Sequence, residues 1–171
     1  MDMEYLVIKS NRKTMSLSVN DDLISVVRAP YFVSENRIKS FVDDNAVWIK
    51  SAVERKQNEL EKYNLSGEEL DKLIKMAEVY IPSRVEYYSR LMKLEPAGIK
   101  ITKAKKRFGS CSGSNSLCFS CYLMLYSESA IDYVVVHELA HIKHHNHSND
   151  FYKLIEKFLP DYKERIKQLK A

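Results

Sequence analysis

The stretch that decides the reading is His137-Glu138-Leu139-Ala140-His141-Ile142-Lys143-His144-His145-Asn146-His147, which holds all five histidines of the 171-residue chain. Residues four apart on a helix share one face, one turn apart. If this segment is helical, His137 and His141 present two imidazoles that can grip one metal ion. Glu138 projects beside them, where a carboxylate can take a proton from a metal-activated water. A catalytic zinc takes three protein ligands and keeps a fourth position open. His147, six residues after His141, is the candidate third ligand. A straight helix would carry it away, so the chain must turn between 142 and 147. Asn146 tolerates left-handed backbone and is expected to make that turn. His144 and His145 read as solvated side chains.

Upstream, Ile131–Val136 belongs to the same helix, with Ser129 as its expected cap and Asp132 in a capping-box position. Val134, Val135 and Val136 are poor helix formers, so this helix must be held by tertiary packing and is expected to be buried. Before it, Ile99–Lys103 alternates apolar and polar residues as a strand. Phe108–Cys111 and Leu117–Leu123 read as two further strands around a turn at Ser112–Asn115. Extended to Leu123, the last strand would put Cys118 and Cys121 on opposite faces, which favours separate buried thiols over a redox pair. After the histidines, Ser148 opens a helix packing Phe151, Leu154, Ile155 and Phe158, and Lys163–Lys170 forms a basic helical face past Pro160.

The first thirty residues carry β-rich runs at Tyr5–Ile8, Met15–Val19 and Leu23–Val27, read as an antiparallel meander. A helical period follows. Ile38, Phe41, Val42, Asn45, Trp48, Ile49, Ala52 and Val53 form one apolar face, with Ser34 as N-cap. A second helix starts at Ser66, and Pro82 is expected to kink or break it. Residues 57–67 are the candidate hinge. Composition agrees with a folded domain: apolar residues are 45%, charged residues 29%, and Gly and Pro number four each. The net charge of +4 permits phosphate or nucleic-acid contact without demanding it. No apolar run approaches the ~18–20 residues of a spanning helix. The acidic start Met1-Asp2-Met3-Glu4 is unlike a secretory signal, and three cysteines suit a reducing, cytoplasmic setting.

The chain resembles the YgjP-like metal-dependent hydrolases, a zincin-type group with a distant likeness to SprT-like proteins. The resemblance rests on Arg107-Phe108-Gly109-Ser110-Cys111-Ser112, on Ile131 to His141, and on Asn146-His147-Ser148-Asn149-Asp150-Phe151-Tyr152. Arg12-Lys13-Thr14, Arg28-Ala29-Pro30 and Trp48-Ile49 are similar to the family as well. It implies His137, His141 and His147 as zinc ligands and Glu138 as catalytic base. Phe108, Tyr152 and Ser120 depart from the family's usual Trp, Trp and Asn, which bears on substrate contacts.

Together these readings give an α+β protein: a β-rich N-terminal portion with a helix (1–57), then a zincin-like metal-dependent hydrolase portion (58–171) that starts with a helical middle and carries an antiparallel sheet and the H-E-x-x-H helix. The expected activity is zinc-dependent, metallopeptidase-like hydrolysis. Lys103, Lys105, Lys106 and Arg107 form the sharpest basic run. They motivate two alternatives: a nucleotide phosphohydrolase, with Arg107 as a bidentate phosphate or carboxylate clamp beside the metal, and an SprT-like nucleic-acid-associated protein. The expected partner is a peptide or nucleotide, without a membrane.

Overall fold

The computed structural model describes residues 4–169 and separates into two compact units, Met1–Asn64 and Leu65–Ala171. The architecture is mixed α+β, as the alternation of period-2 and helical segments indicates.

The first unit carries strands β1 (Tyr5–Ser10), β2 (Ser16–Val19) and β3 (Ser25–Pro30), then helices α1 (Glu35–Asp44) and α2 (Ala46–Lys62). The strand order is β1-β3-β2, with β1 parallel and β2 antiparallel to β3, so the meander is corrected. The physical reason lies in β3, whose Val26, Val27 and Ala29 are buried. A strand with no access to water needs a partner on each edge for its backbone groups, so β3 takes the centre. The core joins Val27 and Ala29 to Ile38, Val42 and Ile49. Ser34 caps α1, its hydroxyl accepting from the Arg37 N–H. The single expected stripe is divided at Asn45, whose amide donates to the Phe41 carbonyl at 2.8 Å. Period alone missed the break because the apolar face continues across it.

The second unit opens with α3 (Gly67–Met92), started by a capping box between Ser66 and Glu69. It continues through Pro82 without the expected break. Proline removes one intrahelical bond, but Ala77, Ile81 and Val85 are buried on one face and hold both halves of the helix in line. Strands β4 (Gly98–Thr102), β5 (Gly109–Cys111) and β6 (Ser116–Ser120) follow in the order β4-β6-β5. This sheet is mixed, not antiparallel: β5 and β6 form a hairpin, while β4 runs parallel to β6. The reason is the same as in the first unit, since β6 carries the fully buried Leu117 and Phe119 and takes the centre. Past Ser120 the chain leaves the sheet in a 3-10 turn, Cys121–Leu125, so the strand does not reach Leu123.

Helices α4 (Glu128–Lys143), α5 (Asn149–Phe158) and α6 (Tyr162–Gln168) complete the unit. Val135 and Val136 are fully buried and Val134 nearly so, which explains how a β-branched run persists in a helix. The cap is Ser127, not Ser129, its hydroxyl accepting from the Ala130 N–H. Asp132 therefore does not close a capping box. Its carboxylate accepts from Arg84 Nε at 2.6 Å, Arg84 Nη2 at 2.8 Å and the Tyr88 hydroxyl at 2.9 Å. Those bonds fasten α3 to α4. Arg165 Nη1 lies 3.8 Å from the same carboxylate and brings α6 to it. Among the described residues, no helix is long and apolar enough to cross a membrane.

Candidate active site

Helix α4 sets the site. His137 and His141 lie one turn apart on its face, and their Nε2 atoms are 3.2 Å apart. The helix ends at Lys143, and His144 leaves it in extended conformation at φ −131°, ψ 100°. The following residues bring His147 back, with its Nε2 also 3.2 Å from that of His137. Asn146 does not make this turn through left-handed backbone: among the described residues, positive φ occurs at Leu23, Lys93 and Asn115. Leaving the helix at His144 was enough. The candidate ligand atoms of the three histidines all lie within 4.8 Å of one another.

Three features fit this cluster to a metal ion. Nitrogens held ~2.0–2.1 Å from a tetrahedral zinc are separated by about 3.3 Å, close to the two spacings found. Two outer nitrogens are occupied: His141 Nδ1 meets the His144 carbonyl at 3.0 Å, and His137 Nδ1 meets the Tyr133 hydroxyl at 3.2 Å. A carbonyl can only accept, so Nδ1 of His141 carries the proton and its Nε2 presents a lone pair to the cluster. The rings of His137 and His141 are also held neutral, as ligation requires. Burial, helped by the neighbouring His141 and His147, pushes His137 down to about 3, and burial lowers His141. Beneath them the fully buried Phe151 of α5 lies 4.9, 4.6 and 4.9 Å, centroid to centroid, from the rings of His137, His141 and His147.

Glu138 is 6% exposed, and burial raises its carboxyl to about 7. It packs directly against β5. A Cβ placed on Gly109 would sit 2.7 Å from Glu138 Cγ and Oε1, so only glycine leaves room for the carboxylate there. The cleft of about 320 Å³ is lined by the three histidines, Glu138, His145 and the β5 residues Gly109, Ser110 and Cys111.

The free edge of β5 faces that cleft with its hydrogen-bonding groups available. In an antiparallel pair, bonded and non-bonded residue pairs alternate. Ser120 N–H donates to Phe108 O at 2.8 Å, and Ser112 N–H donates to Ser116 O at 2.9 Å. With Gly109 opposite Phe119 and Cys111 opposite Leu117, the backbone groups of Gly109 and Cys111 point away from β6, along the open edge.

His137, Glu138, His141 and His147 thus come together, and His145 joins their cleft. His144 contributes its carbonyl. Arg107 is exposed and does not line the cleft; it borders a neighbouring depression. Cys118 is half-buried in β6, while Cys121 begins the 3-10 turn; both thiols are free. The sequence alone assigned no role at the site to Gly109, Tyr133 or Phe151, the last being read only as a packing residue. Of these, Tyr133 carried a signal, since it stands four residues before His137 on the same helix.

A sequence model of the YgjP-like metallopeptidase domain matches residues 69–171. The chain belongs to this family. Membership makes it a metal-dependent hydrolase of metallopeptidase type, and the three-histidine cluster could hold the metal. No curated protein sequence matches the chain. Two solved structures are similar to part of it. One is the metallopeptidase zymogen of Pyrococcus abyssi abylysin, at 21% identity and TM-score 0.48, covering 52% of this chain and 90% of that one. The other is the metallopeptidase zymogen of Methanocaldococcus jannaschii jannalysin, at 22% identity and TM-score 0.46, covering 53% and 97%.

Proposed function

We propose that the chain is a zinc-dependent peptidase, with a zincin-like hydrolase portion at residues 58–171, His137, His141 and His147 as metal ligands, and Glu138 as general base. The observation that carries this reading is the buried Glu138 carboxylate, placed between the imidazole cluster and the free edge of β5. Bound there, a divalent cation supplies Lewis-acid polarisation of a carbonyl and an acidified water. The chain's own residues do the rest. Gly109 and Cys111 offer backbone donors and acceptors along an open edge, which align an extended peptide by strand addition. Glu138 accepts the proton of the attacking water and passes it to the departing amide nitrogen. Tyr133 and the His144 carbonyl hold two imidazoles in orientation.

The cleft lining contains no lysine or arginine. A nucleotide or nucleic-acid role would draw on the exposed Lys103, Lys105, Lys106 and Arg107, which lie outside it. A peptide is therefore the favoured substrate class. The odd set of three cysteines, each a free thiol, supports a reducing, cytoplasmic setting.

The test is Glu138→Gln, which keeps size but removes the base. Metal content, measured by elemental analysis, should stay near one zinc per chain while peptide turnover falls by about a hundredfold or more, at the lower end of what general-base catalysis contributes. Loss of the metal together with activity would make Glu138 a ligand. Unchanged turnover would remove it from the mechanism.

A further inference from the structure

Resting on the peptidase reading, we infer that the depression on the outer face of β5, bordered by Arg107, is a specificity pocket for an acidic substrate side chain. The sheet β4-β6-β5 has two unlike faces. Ile101, Leu117, Phe119, Gly109 and Cys111 share one by strand period, and Leu117 and Phe119 there are fully buried. Thr102, Ser120, Cys118 and Ser110 share the other, since Thr102 pairs with Ser120 and Ser110 with Cys118. On that second face lies a depression of about 320 Å³, lined by Thr102, Ala104, Phe108, Ser110, Cys118 and Arg107 among others. Gly109 and Ser110 line both this depression and the histidine cleft. The two hollows therefore sit on either side of one three-residue strand.

A peptide paired along the edge of β5 must use both. Directly opposed residues on neighbouring strands point to the same face. A substrate residue opposite Gly109 turns its side chain toward Glu138. The next residue, opposite Ser110, turns its side chain over the depression. That residue flanks the bond presented to Glu138. The residues it meets there include Phe108, Thr102, Ala104 and Arg107. No Asp or Glu lines the depression. Arg107 is exposed and has no hydrogen bond or ion pair with any described residue. Lys103, Lys105 and Lys106 are exposed on the same connection. A side chain with a short apolar stem and a carboxylate end, glutamate above all, matches this lining: stem against Phe108, carboxylate on the guanidinium fork.

The experiment uses the full chain loaded with zinc and a mixed pool of blocked peptides, with cut positions identified by mass spectrometry. The wild type should enrich Asp and Glu at one position beside the cut, by about threefold to fivefold over Gln, the scale of a solvent-screened ion pair. Arg107→Ala should erase that enrichment and leave the other positions unchanged. Arg107→Lys should keep part of it, and Arg107→Glu should turn it into a preference for Lys and Arg. Raising the salt concentration should shrink the wild-type preference. Melting temperatures identify any variant that is merely unfolded. Cleavage with no acidic preference, or with a preference that survives Arg107→Ala, would overturn the pocket while sparing the peptidase reading. No cleavage of any peptide by the zinc-loaded chain would overturn both.

Discussion

At the scale of single residues, Gly109 is the position where sequence and chemistry meet most closely. Its φ lies outside the left-handed region, so alanine fits its backbone. What excludes a side chain is Glu138, whose Cγ, Cδ and Oε1 are the three nearest atoms to an added Cβ. Gly109→Ala should therefore displace Glu138, the proposed base, without emptying the proposed metal site. Peptide turnover should fall at least about tenfold, and stability by about 1–3 kcal/mol from overpacking, with zinc content unchanged. The same change made beside Glu138→Ala should cost almost no stability, because the obstructing atoms are gone. An equal cost in both backgrounds would place the conflict elsewhere. The H-E-x-x-H spacing made His137, Glu138 and His141 legible as a group, since a helix repeats every 3.6 residues, whereas His147 lies past the end of α4 and stood out only as a further histidine close by in the sequence. Gly109 was legible only as part of a resemblance, because a contact between positions 109 and 138 leaves no periodic trace.

His137 gives a second residue-scale prediction, for the protein stripped of metal. Its ordinary value is 6.5, and burial lowers it to about 3 in the folded chain. Between those values the unfolded chain binds a proton that the folded chain refuses. Stability must then fall as pH is lowered through that window, by up to about 1.4 kcal/mol per pH unit, and this group adds no slope above pH 7. Denaturant unfolding of chelated protein at pH 7, 6 and 5 measures this. His137→Gln should flatten part of the slope. An identical slope in that variant would mean that other groups carry the acid sensitivity.

At the scale of elements, the sequence conveyed helix faces better than helix ends or strand neighbours. Local period reveals which side of α3 is buried. It does not reveal that burial of Ile81 and Val85 carries the helix across Pro82, nor that β3 and β6 take the centres of their sheets. Those outcomes depend on partners distant in the chain. Asp132 shows the cost of reading locally. It looks like part of an N-terminal cap, yet its carboxylate is spent on Arg84 and Tyr88 of α3. Asp132→Ala leaves the Arg84 charge partly buried without its partner, and should cost about 2–4 kcal/mol. Because α4 carries the histidines, zinc affinity should weaken as well, although Asp132 touches none of them. Unfolding and zinc titration of the variant check both effects. An unchanged stability would mean that water replaces the carboxylate at no cost.

At the scale of the whole molecule, each unit has its own buried core, and only the second contains the histidine cluster. Binding to the folded state alone adds stability by mass action, about 4 kcal/mol when free metal is a thousandfold above its Kd. That gain belongs to the unit that holds the site. The chain supplies a reporter for the other one, since its single tryptophan, Trp48, lies on α2 of the first unit. Helices α3 to α6 make the second unit the dominant source of helical circular dichroism. Adding zinc to chelated protein should raise the melting midpoint followed by circular dichroism by several degrees. It should leave the midpoint followed by Trp48 fluorescence where it was. The physical basis is cooperativity: a ligand stabilises whatever unfolds together with its site and nothing else. If both midpoints rose by the same amount, the two units would unfold as one, and the metal would be stabilising the N-terminal sheet as firmly as the helix proposed to bind it.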